Sequence, residues 1–425
     1  MKFLSPIVLS YSKKIPLRRL TIKVSETPEL VSKQEEPVRK LRNKTRLNRY
    51  FDGLFYLKDV KQSIPEKYFV VTRKQVFQHM YLVDQKIAKE VVRTILPYLK
   101  CDDPHIVCES NPGLGLITTE LLREGVEMVR LYESCIEFRN ILKNLSKLFP
   151  DSIELFSRDI FHISSLSYAD RYDSGNRVKE MLKGIPKKPW NKDPVMTIIG
   201  PMPHRNFLRY LIKMIVFQQE IVTYGRMQML VLMEPMDYET FESAPNLNSR
   251  SYKYNSILFQ LFFNYRLLGK YNRKSFLPWQ SKNAQNYADD DLIYLVKIVP
   301  NETFPVPNKD LIYLYYFIKE SFRKPNQKLI PTMENWLPGI GADLILSNHE
   351  DNFKNTNIYT LFRELRPNQL IYVFRLLLNH PKFKSSPFLA LIESQLLKDE
   401  TVETDAVIDS KKTSDDDDEK WENEE

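Results

Sequence analysis

The feature that most constrains the fold is a strand, a glycine turn, a helix and a second strand that follow one another directly. The apolar run His105–Cys108 is typical of a short buried strand, and the turn Glu109–Leu116 follows at once. A helical pattern over residues 117–124 leads to a second apolar run, Met128–Tyr132. This order predicts the βαβ unit of an open, mostly parallel sheet, because a crossover helix returns the chain between two parallel strands.

Further apolar runs continue the alternation. They predict strands at Ile153–Phe156, Val195–Ile199, Met227–Met233 and Leu292–Val299, and helices at Val83–Leu99, Phe138–Phe149 and Phe207–Tyr224. After Pro300 the pattern becomes helical, with predicted helices at Leu311–Phe322, Trp336–Leu346, Ile358–Leu365 and Pro367–Leu378. We therefore expect an α/β domain over residues 66–300 and a smaller all-helical domain over residues 301–395.

The two ends of the chain do not have the composition of a packed domain. Up to Val24 the sequence contains six basic residues and no acidic one, which is typical of a mitochondrial transit segment. An ordinary basic terminus is the alternative, and a basic arm continues to about residue 60. The tail over residues 396–425 includes the run Asp415–Asp418. Such a tail is either a solvated brush or a DNA mimic that restrains non-specific binding.

The formal net charge of +8 hides an asymmetry between the body and the tail. Residues 399–425 carry 13 acidic and 3 basic side chains, which leaves the rest of the chain at +18. A body this basic attracts phosphate backbones or anionic surfaces. Charge alone does not distinguish such binding from a diffusely solvated, lysine-rich surface.

Several classes of protein are disfavoured by what the sequence lacks. Its three cysteines form no CxxC pair, its six histidines form no HExxH pattern, and Cys101 and His105 have no second ligand pair. No apolar run approaches the roughly 18 residues of a membrane span. We therefore expect no disulfide scaffold, no metal site and no membrane span.

Four residues predict a cofactor pocket at the carboxyl ends of the strands. Gly113 and Gly115 allow the backbone to approach a ligand closely, and Glu133 at the tip of the second strand is placed to bind ribose hydroxyls. Asp159, after the third strand, can accept from an adenine amino group. No complete GxGxxG and no Walker lysine is present, so S-adenosylmethionine fits better than a pyrophosphate ligand. Ordinary turn and cap residues are the alternative interpretation.

These residues resemble the motifs of the rRNA adenine dimethyltransferase family. Glu109–Thr118 reads E-S-N-P-G-L-G-L-I-T against the family's E-I/V-G-P-G-x-G-x-L-T, and His79–Leu82 reads H-M-Y-L against Q-N-F-L. Glu133 and Asp159 match the family's ribose and adenine acids. Three further segments resemble the mitochondrial transcription factor B branch in particular, namely Tyr224–Gln228, Phe276–Trp279 and Ile293–Pro300.

The resemblance implies a class I methyltransferase fold, Rossmann-like, with a mostly parallel sheet and a small helical C-terminal domain. It also implies a pocket for S-adenosylmethionine lined by Leu82, Glu109, Asn111, Gly113, Glu133 and Asp159. The loop after the fourth strand departs from the family's N-L-P-Y/F and reads Pro201, Met202, Pro203 and His204. Proline offers no side-chain acceptor for the adenine amino group, so we expect a degraded catalytic loop, although drift in a tolerant enzyme is the alternative.

The branch resemblance implies a mitochondrial transcription initiation factor in the matrix nucleoid. Such a factor binds the single-subunit mitochondrial RNA polymerase and helps to melt promoter DNA, which requires cations for phosphates and aromatics for unstacked bases. Candidate nucleic-acid contacts are Arg205, Arg209, Arg266, Lys270, Arg273, Lys274, Lys319, Arg323 and Lys324. A methyltransferase acting on adenine N6 of the mitochondrial small-subunit rRNA is the alternative, and a general RNA-binding assembly protein is a third.

Overall fold

The computed structural model describes Ile64 and residues 79–100, 105–277, 292–346 and 356–397. All of them belong to the compact unit formed by residues 56–425. The predicted transit segment and basic arm, and the acidic tail beyond residue 397, lie outside the described residues. Within the described ranges, none of the helices is both long and apolar enough to cross a membrane.

A seven-stranded sheet forms the centre of the molecule. Its strands are β2 (Ile106–Ser110), β3 (Val129–Tyr132), β4 (Ile153–Phe156), β5 (Met196–Pro201), β6 (Met227–Met233), β7 (Phe263–Asn272) and β9 (Leu292–Pro300). Their order is β4-β3-β2-β5-β6-β9-β7, parallel from β4 to β6, with β9 antiparallel to both of its neighbours. Two short strands, β1 (Tyr81–Leu82) and β8 (Phe276–Leu277), pair separately. The predicted α/β fold with a mostly parallel sheet is confirmed.

Strand β7 was not predicted from the sequence. It covers Arg266 and Lys270, which we had assigned to a segment for nucleic acid. In its first half Asn264 and Arg266 are exposed, because successive side chains of a strand point to opposite faces of the sheet. The strand lies at the edge of the sheet and pairs only with β9. Charged side chains on an edge strand also discourage pairing with another chain.

Twelve α-helices are bounded within the described ranges. They are α1 (Gln85–Ile95), α2 (Leu116–Arg123), α3 (Ile136–Leu148), α4 (Ile163–Asp173), α5 (Arg177–Met181), α6 (Asn206–Phe217), α7 (Pro235–Glu242), α8 (Tyr254–Phe262), α9 (Leu311–Ser321), α10 (Leu329–Trp336), α11 (Ile340–Leu346) and α12 (Pro367–Asn379). Residues 387–397 are also helical.

Three helix predictions needed correction. The predicted helix at Ile358–Leu365 is wrong, because the segment forms a turn, a bridge to Lys328 and a short 3₁₀ helix. The helix predicted at Phe207–Tyr224 stops at Phe217, where Gln218 takes a left-handed conformation with φ 53°. The helix predicted at Trp336–Leu346 begins only at Ile340, because Pro338 and Gly339 separate α10 from α11.

The core consists of two apolar clusters on opposite faces of the sheet. Neighbouring residues of one strand divide between them, so that Ile198 faces one cluster and Ile199 the other. This burial on both faces explains why the parallel strands are continuous apolar runs. The helices after Pro300 contribute Phe317 and Phe374 to the same cluster as Ile198, so the helical segment shares a core with the sheet.

Close packing of β2 and β5 requires a glycine at position 200. Gly200 has φ 131°, and a Cβ there would lie 2.2 Å from the backbone oxygen of Ser110. We therefore expect Gly200→Ala to lower the free energy of unfolding by about 3–5 kcal/mol, measured by denaturant titration.

Gly125→Ala is the matched control, because Gly125 also has a positive φ, 90°, but a Cβ there meets nothing within 4 Å. It should cost only about 1–2 kcal/mol. Equal losses in the two variants would contradict the close approach of Ser110 to Gly200.

Candidate functional site

The predicted site residues meet where the parallel strands end. Glu109 lies within β2, Glu133 follows β3 directly, Asp159 follows β4, and Pro201 ends β5. The carboxyl ends of parallel strands share one edge of the sheet, and this is where ligands bind in open α/β folds. The structure therefore brings together side chains that lie far apart in the sequence.

The turn after β2 is built from left-handed backbone. Asn111 has φ 54°, Gly113 has φ 56° and Gly115 has φ 70°. Asparagine tolerates this conformation better than most residues, so Asn111 can stand where the family has glycine. Its Nδ2 donates to the carbonyl oxygen of Pro201 at 3.4 Å, which ties the turn to the end of β5.

Glu133 is fully buried and accepts three hydrogen bonds from the chain itself. The Tyr81 hydroxyl donates to Oε1 at 3.1 Å, the Cys135 amide donates to Oε1 at 2.8 Å, and the Gly113 amide donates to Oε2 at 3.1 Å. Burial raises the pKa of Glu133 to about 7, although these donors oppose the shift. The carboxylate expected to hold ribose hydroxyls is thus largely occupied by protein groups.

Tyr81 fills the space beside the glycine turn. Its side chain is fully buried, its ring lies 4.5 Å from that of Phe138, and a Cβ at Gly113 would lie 2.8 Å from its Cδ1. The sequence analysis did not single out Tyr81. The available signal was its hydroxyl, since the matching family residue in Q-N-F-L is phenylalanine. Leu82, its neighbour, packs into the core with α1 rather than beside Glu133.

Glu109 faces helix α2 and pairs with one side chain. The Thr118 hydroxyl donates to its Oε2 at 2.5 Å, and the residue is buried. Burial raises the pKa of Glu109 to about 8, and the nearby Glu133 raises it further while Thr118 opposes the shift. The hydrogen bond between Glu109 and Thr118 therefore links the start of α2 to β2. At neutral pH the Glu109 side chain is mostly protonated.

Asp159 is a second buried carboxylate with several partners. Oδ1 accepts from the Ser110 hydroxyl at 2.7 Å and from the Phe161 amide at 2.8 Å, while Oδ2 lies 2.8 Å from His162 Nδ1 and 3.4 Å from His79 Nδ1. Burial raises the pKa of Asp159, but these hydrogen bonds outweigh it and hold the pKa well below its usual range. The hydrogen bond to Asp159 raises the pKa of His162.

The loop after β5 continues into the core. The Met202 amide donates to the Leu232 carbonyl at 2.8 Å, and the Met202 side chain is fully buried. Pro201 is buried, and its carbonyl oxygen receives the Asn111 amide. His204, which follows Pro203, is half-buried with its ring 6.2 Å from that of His162.

The predicted nucleic-acid cations lie on several surfaces. Arg266, Lys270 and Lys274 are exposed on or just after β7, and Lys270 sits over the Tyr294 ring at 4.6 Å. Lys319 is half-buried over the Tyr315 and Tyr316 rings. Arg323 and Lys324 follow α9 and are exposed.

Arg273 is a correction to the sequence analysis. Its guanidinium is buried, contacts Glu234 at 3.0 Å, and lies 3.8 Å from the sulfur of Met80. Burial lowers its pKa, while Glu234 opposes the shift. Because the side chain is enclosed and paired, the assignment of Arg273 to a nucleic-acid surface is wrong.

Arg205 and Arg209 line a small cavity with a third cation that the sequence analysis missed. This cavity, of about 60 Å³, lies between the starts of α6 and α8 and is also lined by Lys253. Arg205 donates to Thr240 at 2.8 Å and lies 3.3 Å from Asp237. Lys253 was not found because it lies in a segment for which no helix was predicted.

The strand order and the acids at the strand ends define a class I methyltransferase fold. The chain belongs to the ribosomal RNA adenine dimethylase family, whose sequence profile matches residues 70–366. The mitochondrial dimethyladenosine transferase 2 of Drosophila melanogaster is 28% identical over 382 residues, covering 80% of this chain and 84% of the relative.

Two other similarities have lower identity. The human mitochondrial dimethyladenosine transferase 2 is 22% identical over 284 residues, covering 63% of this chain and 70% of the relative. The crystal structure of a dimethyladenosine transferase from Plasmodium falciparum is 13% identical with a TM-score of 0.45, covering 72% of this chain and 98% of that chain.

Buried Glu109 makes a testable contribution to the pH dependence of stability. Because its pKa is raised from 4.5 to about 8, the folded state holds a proton that the unfolded chain releases between these values. Its contribution to stability therefore falls as pH rises through this window. We expect Glu109→Gln to raise the melting temperature by about 2–4 °C at about pH 9 and to have little effect at about pH 5.

Glu127→Gln is the control for this measurement, since Glu127 is exposed. A Glu109→Gln variant whose melting temperature changes equally at both pH values would contradict the protonated state assigned to Glu109.

Proposed function

We propose that this chain is a mitochondrial transcription initiation factor built on a methyltransferase fold. In this proposal it acts in the matrix nucleoid, binds the single-subunit mitochondrial RNA polymerase and helps to melt promoter DNA. The mitochondrial location is supported by the relatives, which are named mitochondrial, and by the cationic first 24 residues. The branch-specific motifs support the role in transcription.

The observation that carries the proposal is the occupation of Glu133 by the chain's own donors. Ribose binding at the tip of β3 requires free acceptor positions on this carboxylate. Both bonds to Oε1 come from protein groups, one of them from Tyr81, whose ring also packs against Gly113. A cofactor has to displace Tyr81 to recover these positions, so methyl transfer is not the activity best supported by this site.

The loop after β5 supports the same conclusion. Adenine methylation requires an acceptor for the amino group and an aromatic ring that stacks on the flipped base. Pro201 has no side-chain acceptor, and its carbonyl already receives the Asn111 amide. His204 replaces the family's aromatic residue, so both requirements are weakened together.

The cationic surfaces support a role in which the chain binds nucleic acid without catalysing a reaction on it. Arg209 and Lys253 meet Arg205 at the cavity beside α8, and Arg209 and Lys253 are exposed. Amide groups at a helix start and neighbouring cations together favour a phosphate group. The exposed cations of β7 and of the end of α9 provide further positive surfaces. Such surfaces bind single strands with strong salt dependence.

Methylation of adenine N6 in the mitochondrial small-subunit rRNA is the second candidate. It is favoured by the retained Glu133 and Asp159, by S-adenosylmethionine chemistry in the family, and by relatives named dimethyladenosine transferases. In that case Tyr81 moves when S-adenosylmethionine binds, and the substrate is RNA rather than promoter DNA.

Run-off transcription from a mitochondrial promoter with the cognate polymerase tests the proposal. We expect promoter-dependent transcripts only when this chain is present, without any S-adenosylmethionine in the reaction. Arg209→Ala with Lys253→Ala should weaken single-stranded DNA binding about 10-fold and reduce the salt slope by about 1.4, because two phosphate contacts are lost. Lys319→Ala with Arg323→Ala and Lys324→Ala tests the other cationic group in parallel.

Lys143→Ala with Lys147→Ala is the matched control. Both lysines are exposed on α3, whose buried Leu142 packs in the core cluster on the opposite face of the sheet from α6. The control should bind DNA and support transcription as the unaltered chain does. No stimulation on either linear or premelted promoter DNA would overturn the proposal, and methylated adenines in rRNA would establish the second candidate.

Binding of S-adenosylmethionine separates the two candidates further. We expect weak binding by the unaltered chain in calorimetry, and about 5-fold tighter binding by Tyr81→Phe, because the competing hydroxyl is gone. Tyr252→Phe is the control, since its buried hydroxyl donates to the Leu365 carbonyl at 2.7 Å, away from Glu133. Tight binding by the unaltered chain, unchanged in Tyr81→Phe, would favour the methyltransferase.

A further inference from the structure

Two of the six histidines of this chain meet around one carboxylate, and a third lies near one of them. His79 and His162 both approach Asp159, and the His204 ring lies 6.2 Å from the His162 ring. We propose that His79, Asp159 and His162 form a binding site for a divalent transition-metal ion of the Zn²⁺ type. His204, whose ring is next to that of His162, is the candidate for a fourth ligand.

The distances suit a metal ion after a small adjustment. One ligand atom from each of His79, Asp159 and His162 lies within 4.8 Å of the other two, so the two imidazoles also have to approach each other when a metal binds. Ligand atoms of a tetrahedral zinc ion are about 3.3 Å apart, given metal–ligand distances of about 2.0–2.1 Å. His79 Nδ1 is already 3.4 Å from Asp159 Oδ2. His162 Nδ1, at 2.8 Å, must withdraw by about 0.5 Å, which a small side-chain rotation allows.

One of these ligand atoms lacks a hydrogen bond in the described part of the chain. His79 Nδ1 is buried and lies 3.4 Å from Asp159 Oδ2, an ion-pair distance at which it makes no well-aligned hydrogen bond. A buried polar nitrogen without a partner is costly, and metal coordination would satisfy it. The pair of imidazoles and one carboxylate is a ligand set that zinc and neighbouring divalent transition ions accept, whereas Mg²⁺ prefers an all-oxygen site.

The groups behind the ligands hold them in place. Asp159 Oδ1 accepts from Ser110 and from the Phe161 amide, so Oδ2 alone faces the two imidazoles. On its far side, His79 Nε2 lies 3.4 Å from the Ser134 hydroxyl. Such outer partners orient metal ligands and fix the nitrogen that faces the metal.

A metal here would join three segments that are remote in sequence. His79 precedes β1, His162 lies in the 3₁₀ helix that precedes α4, and His204 follows β5. Asp159 would then be coordinated and unavailable to an adenine amino group. The ion would thus be a structural link at the edge of the sheet where the family binds its cofactor. The proposal of this metal site does not depend on the proposed role in transcription.

Titration of the metal-free full-length chain with Zn²⁺ tests this site. Calorimetry should give one Zn²⁺ per chain, Co²⁺ should give the visible absorption of a low-coordinate complex, and Mg²⁺ should not bind there. Zn²⁺ should also raise the melting temperature, since it binds the folded state. His79→Gln and His162→Asn should each weaken Zn²⁺ binding by at least about 10-fold and remove the thermal shift.

His380→Ala is the matched histidine control, because His380 lies at the end of α12 and takes no part in the cluster. It should bind Zn²⁺ as the unaltered chain does. Circular dichroism of the metal-free variants distinguishes lost binding from lost folding, and the single variants complement each other if one does not fold. No stoichiometric Zn²⁺ binding, or an equal loss in His380→Ala, would overturn the proposal and leave Asp159 as a hydrogen-bonded partner of His162.

Discussion

The buried carboxylate of Glu133 is the interaction on which the candidate site depends. It joins the Tyr81 hydroxyl in β1, the Gly113 amide in the turn after β2 and the Cys135 amide at the start of α3. A carboxylate inside the fold must be hydrogen-bonded or neutral, so these donors cannot be given up without replacement. The same bonds place β1 at the strand ends, and β1 brings His79 beside Asp159.

The molecule has the architecture of the methylase family, but the polar groups at the carboxyl ends of its strands make hydrogen bonds within the chain. At the carboxyl edge of the sheet, Glu133 and Asp159 accept hydrogen bonds from groups of the chain itself, and Asn111 donates to the Pro201 carbonyl. Outside, Arg209 and Lys253 are exposed beside a small cavity. This division suits a protein that holds nucleic acid on its surface, as in the initiation factor we propose.

Sequence reasoning succeeded for buried strands and failed where exposure or pairing decided the structure. The central strands were predictable because apolar residues cover both of their faces. Strand β7 was missed, because its exposed edge carries Arg266 and Lys270 among aromatic residues and therefore has the composition of a nucleic-acid segment. Arg273 shows the opposite error, since a cation in a basic run is buried against Glu234. Composition shows which side chains a segment contains, but not whether each side chain faces the solvent or the core.

The sequence by itself determined the order of the buried parallel strands and of most helices, the glycine turn at Gly113 and Gly115, and the acids that follow β3 and β4. These depend on local patterns of apolar residues and on backbone conformation, which neighbours in the chain can specify. Only the tertiary structure decided what those acids bind. Tyr81 lies 52 residues from Glu133 in sequence, so no local spacing indicates their hydrogen bond. Such contacts depend on strand pairing and on the approach of separate segments, which the folded chain alone fixes.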